Sequence, residues 1–128
     1  MKILLDTCTF LWLATGAPVL SSCARELFID PDNEVFLSVV SAWEIAVKHA
    51  LGRLGLPGAP AQCLPAWRKN LGISPLALTE EAVLHVGRLP RHHNDPFDRM
   101  LVCQSIVHGM PLLSPDSALA QYPARPLW

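Results

Sequence analysis

Short apolar runs alternate along the chain with longer segments in which apolar residues recur at helical spacing. The first run lies in Lys2–Asp6 and shows no polar alternation, so it predicts a strand buried on both faces. A helical stretch follows from about Thr9 to Ala14. A second helix spans about Ala17–Phe28, with Ser21 or Ser22 near its start. The turn residues Asp30–Asn33 separate it from Glu34–Val40, whose Val35, Phe36, Val39 and Val40 predict the second strand.

Ser41 opens the next helix, which runs to about Leu51 and stops at Gly52. Glycine and proline then crowd the segment between Leu51 and Pro65, which reads as a loop between helices. A helix near Ala61–Leu71 leads into a strand-like Ile73–Leu78. Thr79 is placed to cap another helix, with Glu80 and Glu81 in its first turn. After the polar loop Arg91–Asn94, a helix that is apolar almost all round extends to Gly109. Pro111–Ser114 holds a short buried strand, and a last helix begins with Pro115 at its first position. This alternation predicts an α/β fold around a parallel sheet. At 128 residues, with no repeat and no low-complexity segment, the chain is expected to form one domain over 1–128.

Composition sharpens this picture. Apolar residues make up 51% of the chain and charged residues 16%, with a mean hydropathy of +0.29. Such a surplus suits elements buried on both faces, or a surface covered by a partner. The net charge of −1 excludes a broad basic field, so any hold on nucleic acid must come from a local patch or a metal. Cys8, Cys23, Cys63 and Cys103 show no C-x-x-C pair, and are expected as reduced core thiols of a cytoplasmic protein. Asp6, Thr7 and Thr9 interrupt what a secretory signal would keep apolar, and no run approaches the ~18 apolar residues of a membrane span.

The acids carry the candidate chemistry. In parallel α/β folds, ligands bind beyond the carboxyl ends of the strands. Asp6 closes the first strand, Glu44 lies a turn after the second, Asp95 and Asp98 open the long apolar helix, and Asp116 follows the last strand. Each also has a structural explanation. Ser41-x-x-Glu44 matches a capping box, Asp95 suits the cap before Pro96, and Asp98 and Asp116 suit helix N-termini. Asp6 can cap the helix after it. Yet an unpaired charge beyond a fully buried strand costs several kcal/mol, by the order of magnitude for buried ions. With other acids converging on the same edge, a cation is the better compensation. Hard oxygen ligands without companion cysteines favour Mg²⁺ or Mn²⁺ over zinc.

The stretches LLDTCTFLWL, SAWEIAVKHALGRL, LPRHHNDPFDRMLVCQS and LLSPDSAL resemble, in that order, the motifs of PIN-domain ribonucleases, most closely the VapC-type toxins of type II toxin–antitoxin modules. The closing QYPARPLW is similar too, so the resemblance covers essentially the whole chain. It implies a three-layer α/β/α domain and a Mg²⁺- or Mn²⁺-dependent endoribonuclease leaving a 5′-phosphate and a 3′-hydroxyl. Carried over residue by residue, Asp6, Glu44, Asp98 and Asp116 match the family's metal-site acids, and Asp95 is an accessory or capping residue. It further implies a homodimer and a cognate antitoxin that occludes the cleft.

Around these acids, Thr7 and Ser114 can orient ligands or water, or simply cap helices. Lys48 and Arg99 are candidates for phosphate contact, although Lys48 is also spaced for an ion pair with Glu44. Arg91, His92 and His93 add local positive or hydrogen-bonding character. Trp12, Trp43, Phe10 and Phe36 are expected in or near the core, and Trp67 and Trp128 at a partner surface. Two other readings stand beside the nuclease. LLDTCT superficially resembles the nucleophile strand of haloacid-dehalogenase-type phosphatases, but Cys8 stands where their second acid is needed and LLSPDS lacks their later acidic loop. A non-catalytic PIN-like fold that binds RNA or a partner is the other.

Overall fold

A computed structural model describes residues 1–128. Four parallel strands, β1 (Lys2–Leu5), β2 (Glu34–Ser38), β3 (Ser74–Leu76) and β4 (Leu112–Leu113), form one sheet in the order β3-β2-β1-β4. Strand β1 is central, which is why it carries no solvent-facing alternation. Ile3, Leu4 and Leu5 are all fully buried. Period-two geometry sends their side chains to opposite sides. Leu4 joins a cluster with Leu101, Val102 and Leu112, while Ile3 and Leu5 join Phe10, Ile45, Leu64 and Leu113.

The helices are α1 (Thr7–Thr15), α2 (Ser22–Ile29), α3 (Val39–Ala50), α4 (Pro60–Leu71), α5 (Glu80–His85) and α6 (Pro96–His108). Residues from α1, α2 and α4 build the second cluster, and those from α6 the first. Helix α3 contributes Val40 to one and Ile45 to the other. The sheet is therefore sandwiched, and the site-bearing helices α1, α3 and α6 all begin near its carboxyl edge.

The local signals account for most boundaries. Gly16, Gly72 and Gly109 end α1, α4 and α6 in left-handed conformation, the cap an L side chain tolerates poorly. Several expectations are corrected. Helix α3 starts at Val39 rather than Ser41, because Ser38 Oγ accepts from the Val40 N–H and caps it. The β-branched Val39 and Val40 read as strand, and the cap overrides their propensity. The chain after Asp116 forms a 3₁₀ helix, Ser117–Gln121, capped by Asp116 with Pro115 outside it. A second 3₁₀ turn, Val86–Arg88, follows α5 where no element was expected.

The aromatic expectations partly reverse. Trp43 is 56% exposed and meets Phe97 edge-on, whereas Trp67 packs on the core edge-on to Phe10, and Trp128 packs against Trp12. A helical face is set by the neighbours it finds, so residue type alone misplaces these rings. Cys8 and Cys23 are likewise exposed rather than core, while Cys103 is buried; all four thiols are free.

Candidate active site

Five acids line one cavity of about 350 Å³ at the carboxyl edge of the sheet: Asp6, Glu44, Asp95, Asp98 and Asp116. Four chain segments far apart in sequence deliver them. Strand β1 ends at Asp6, whose Oδ1 accepts the Thr9 N–H at 2.7 Å and so caps α1. Its Oδ2 accepts from Ser114 Oγ at 2.5 Å. Ser114 Oγ in turn accepts the Asp116 N–H at 3.1 Å, tying the β4 loop to the end of β1. Asp6 is 6% exposed. Burial raises its carboxyl above the ordinary range, opposed by its Ser114 and Thr9 hydrogen bonds and assisted by the negative charge of Asp116.

Glu44 is buried on α3. Thr7 Oγ1 donates to its Oε1 at 2.7 Å, and Lys48 forms an ion pair with its Oε2. Thr7 Oγ1 also lies 2.9 Å from Ser41 Oγ. A carboxylate only accepts, so the single Thr7 hydroxyl proton goes to Glu44 and Ser41 supplies the other hydrogen. The capping-box expectation is therefore corrected: Glu44 faces Thr7 and Lys48, not the amide of Ser41. The hydrogen bond to Glu44 holds the Lys48 ammonium above its usual range.

Asp95 caps α6 through Oδ1, which accepts the N–H groups of Phe97 and Asp98. Asp98 stands at the third helical position, as the sequence spacing predicts, and is the most perturbed acid. Desolvation, then the charges of Asp95 and Glu44, push its carboxyl up to about 7, with His93 pulling the other way. His93 was the residue the sequence undervalued. Its Nδ1 accepts the Asp95 N–H at 2.9 Å, so the neutral ring carries its proton on Nε2, which lies 3.4 Å from Asp98 Oδ2. Ligand atoms of His93, Asp98 and Asp116 lie within 4.8 Å of one another. With Nε2 bearing the proton, the carboxylates are the ligands available there.

The donor set fits a hard divalent cation. Carboxylate oxygens predominate, Asp6 and Asp98 are both held above their ordinary range by burial and like charge, and Lys48 is the one ammonium lining the cavity. Cys8 also borders it, and partial desolvation with the neighbouring Asp6 and Glu44 charges raises its thiol above the usual range. Arg99 lies elsewhere: its Nη1 donates to Pro90 O at 2.9 Å and to Tyr122 Oη at 3.4 Å.

A family model described as the PIN domain matches residues 3–124. The chain belongs to the PIN-domain family. That membership sets aside the phosphatase alternative, whose distinguishing acids the sequence already lacked. Ribonuclease VapC16 of Mycobacterium tuberculosis is 36% identical over 61 residues, which cover 48% of this chain and 43% of that relative's length. The PIN fold here is similar to the structure of VapBC2 from Rickettsia felis bound to a promoter DNA fragment, with a TM-score of 0.74 at 11% identity over 100% of this chain and 98% of that one. VapBC-1 from nontypeable Haemophilus influenzae gives 0.64 at 19% identity over 94% and 91%. A toxin–antitoxin complex from Klebsiella pneumoniae gives 0.62 at 14% over 98% and 96%.

Proposed function

We propose that this PIN domain is a Mg²⁺- or Mn²⁺-dependent endoribonuclease, the toxin of a toxin–antitoxin pair. The observation that carries the reading is the convergence of Asp6, Glu44, Asp98 and Asp116 on one cavity, with Asp6 and Asp98 each pushed up by burial and by neighbouring acids. VapC16, a ribonuclease by name, and the toxin–antitoxin structures sharing the fold support it.

Asp6, Asp98 and Asp116 would hold the ion, with Glu44 completing the set directly or through water. When bound, the ion supplies neutralising charge at the phosphodiester and lowers the pKa of attacking water. The chain's own residues do the rest. Ser114 and the Thr9 amide fix both oxygens of Asp6, Thr7 and Lys48 fix Glu44, and His93 orients Asp98. Such second contacts hold ligands in place so that binding does not reorganise them. Lys48, partly exposed at the rim, is placed to meet a phosphate once a cation takes over its charge toward Glu44.

The reading includes action in the cytoplasm, a homodimer and a cognate antitoxin. No helix is long and apolar enough to cross a membrane. Val39 and Trp43, one turn apart on α3, supply exposed apolar surface for a protein partner. The test is cleavage of a small-RNA pool by purified protein in Mg²⁺ or Mn²⁺. Discrete fragments that vanish with EDTA and with Asp98→Asn support the reading. Intact RNA with folded, metal-supplemented, antitoxin-free protein overturns it in favour of a binding-only PIN domain.

A further inference from the structure

Two cavities of opposite character adjoin at the contact between His93 and Asp98. The acidic cavity includes Asp98, against which the His93 ring is set. The same imidazole lines a second cavity of about 340 Å³ with Arg91, Asn94, Arg99 and the Val86–Gly87 turn, and no acid faces it. Among the lysines and arginines only Lys48 pairs with a carboxylate, that of Glu44, so neither Arg91 nor Arg99 is neutralised. Arg99 is anchored by Nη1 on Pro90 O and Tyr122 Oη, which fixes its plane and leaves Nε and Nη2 without protein acceptors. Arg91 and Asn94 are exposed on the loop opposite.

Guanidinium groups only donate, and their planar fork suits phosphate oxygens. A chain of net charge −1 needs such a local patch if it is to hold a polyanion. The His93 ring lines the basic cavity while its Nε2 lies 3.4 Å from Asp98 of the acidic one, so the two cavities adjoin at this residue. We infer that the Arg91–Arg99 cavity seats a backbone phosphate of the RNA strand, the neighbour of the phosphate presented to the acids, with His93 as the partition between them. The inference rests on the nuclease reading for its substrate and adds the site that gives the strand its register.

The test is fluorescence anisotropy of a labelled single-stranded RNA hexamer with the full chain in EDTA, paired with cleavage kinetics in Mg²⁺. Arg91 makes no side-chain hydrogen bond or ion pair, so Arg91→Ala leaves the fold intact. Lys69→Ala removes the same charge from the end of α4 that leads into the amino edge of β3, opposite the acids. Arg91→Ala is expected to weaken hexamer binding about fivefold, the scale of one exposed charged contact, and to lower the salt slope by about 0.7. KM rises with kcat nearly unchanged, Arg91→Lys restores part of the loss, and Lys69→Ala changes neither. Equal, small losses for Arg91→Ala and Lys69→Ala overturn the subsite. Displacement of the hexamer by millimolar inorganic phosphate at constant ionic strength also overturns it, pointing to a free-phosphate site. Binding that depends on Arg91 without cleavage of any RNA leaves the subsite standing while the nuclease reading fails. Cleavage that is indifferent to Arg91 does the reverse.

Discussion

Ser114 Oγ sits 2.5 Å from Asp6 Oδ2, joining the ends of β4 and β1 across 108 residues of chain. The same hydroxyl accepts the Asp116 amide, so one small side chain sets two of the candidate ligands. Ser114→Ala removes a buried donor to a charged acceptor. It is expected to cost about 1–3 kcal/mol in urea unfolding. It also lifts the Asp6 carboxyl further, because a hydrogen bond to the charged form is lost. RNA cleavage should fall at least tenfold, in the range that loss of a supporting contact to a metal ligand costs.

Asp98, raised to about 7, gives the metal-free protein a distinctive pH response. Between about 4, where the unfolded chain's carboxyl ionises, and 7, the folded state binds the extra proton. Stability contributed by this group therefore falls as pH rises through that window. In EDTA, the urea midpoint of wild type should drop from pH 5 to pH 8 more than that of Asp98→Asn. Identical slopes for the two proteins would refute the assignment.

Cation binding should reverse this penalty. Saturating Mg²⁺ or Mn²⁺ is expected to raise the melting temperature, since a ligand at 100 times its Kd adds about 2.7 kcal/mol. Asp98→Asn and Asp6→Asn should lose most of the increment. Differential scanning fluorimetry across a metal titration reads it directly.

Lys48 is the resident counter-charge of buried Glu44. Lys48→Met leaves that carboxylate without its cation, at a cost of about 1–2 kcal/mol, below the fully buried case because the lysine is partly exposed. Added Mg²⁺ should recover part of the loss if Glu44 helps hold the ion. The measurement is the change in melting temperature with and without metal.

Much of the architecture was legible along the chain. Uninterrupted aliphatics in β1 marked a strand buried on both faces, and Gly52 and Gly109 marked the ends of α3 and α6. The acids at strand ends and helix starts, in their four motifs, marked the residues of the cavity. These are local signals, carried by side-chain pattern and backbone preference within a few positions. Helix α3 shows where they fail: Val39 and Val40 favour strand, but Ser38 caps a helix there, and its hydroxyl also donates to Gln104 of α6 at 2.5 Å.

What could be read along the chain was therefore the order of the strands and main helices, the strand buried on both faces and the set of acids. Only the tertiary structure decided what each acid touches. Glu44 could cap its own helix or turn to Thr7 and Lys48, and the packing of α1 against α3 selected the second. His93 could be a solvated loop residue, and its two ring nitrogens became committed only when the loop folded back onto Asp95 and Asp98. Arg99 follows Asp98 in the chain yet faces a different cavity, because adjacent helical positions point about 100° apart. Hydrogen-bond partners and exposure depend on which distant segments meet, and no local pattern encodes that choice.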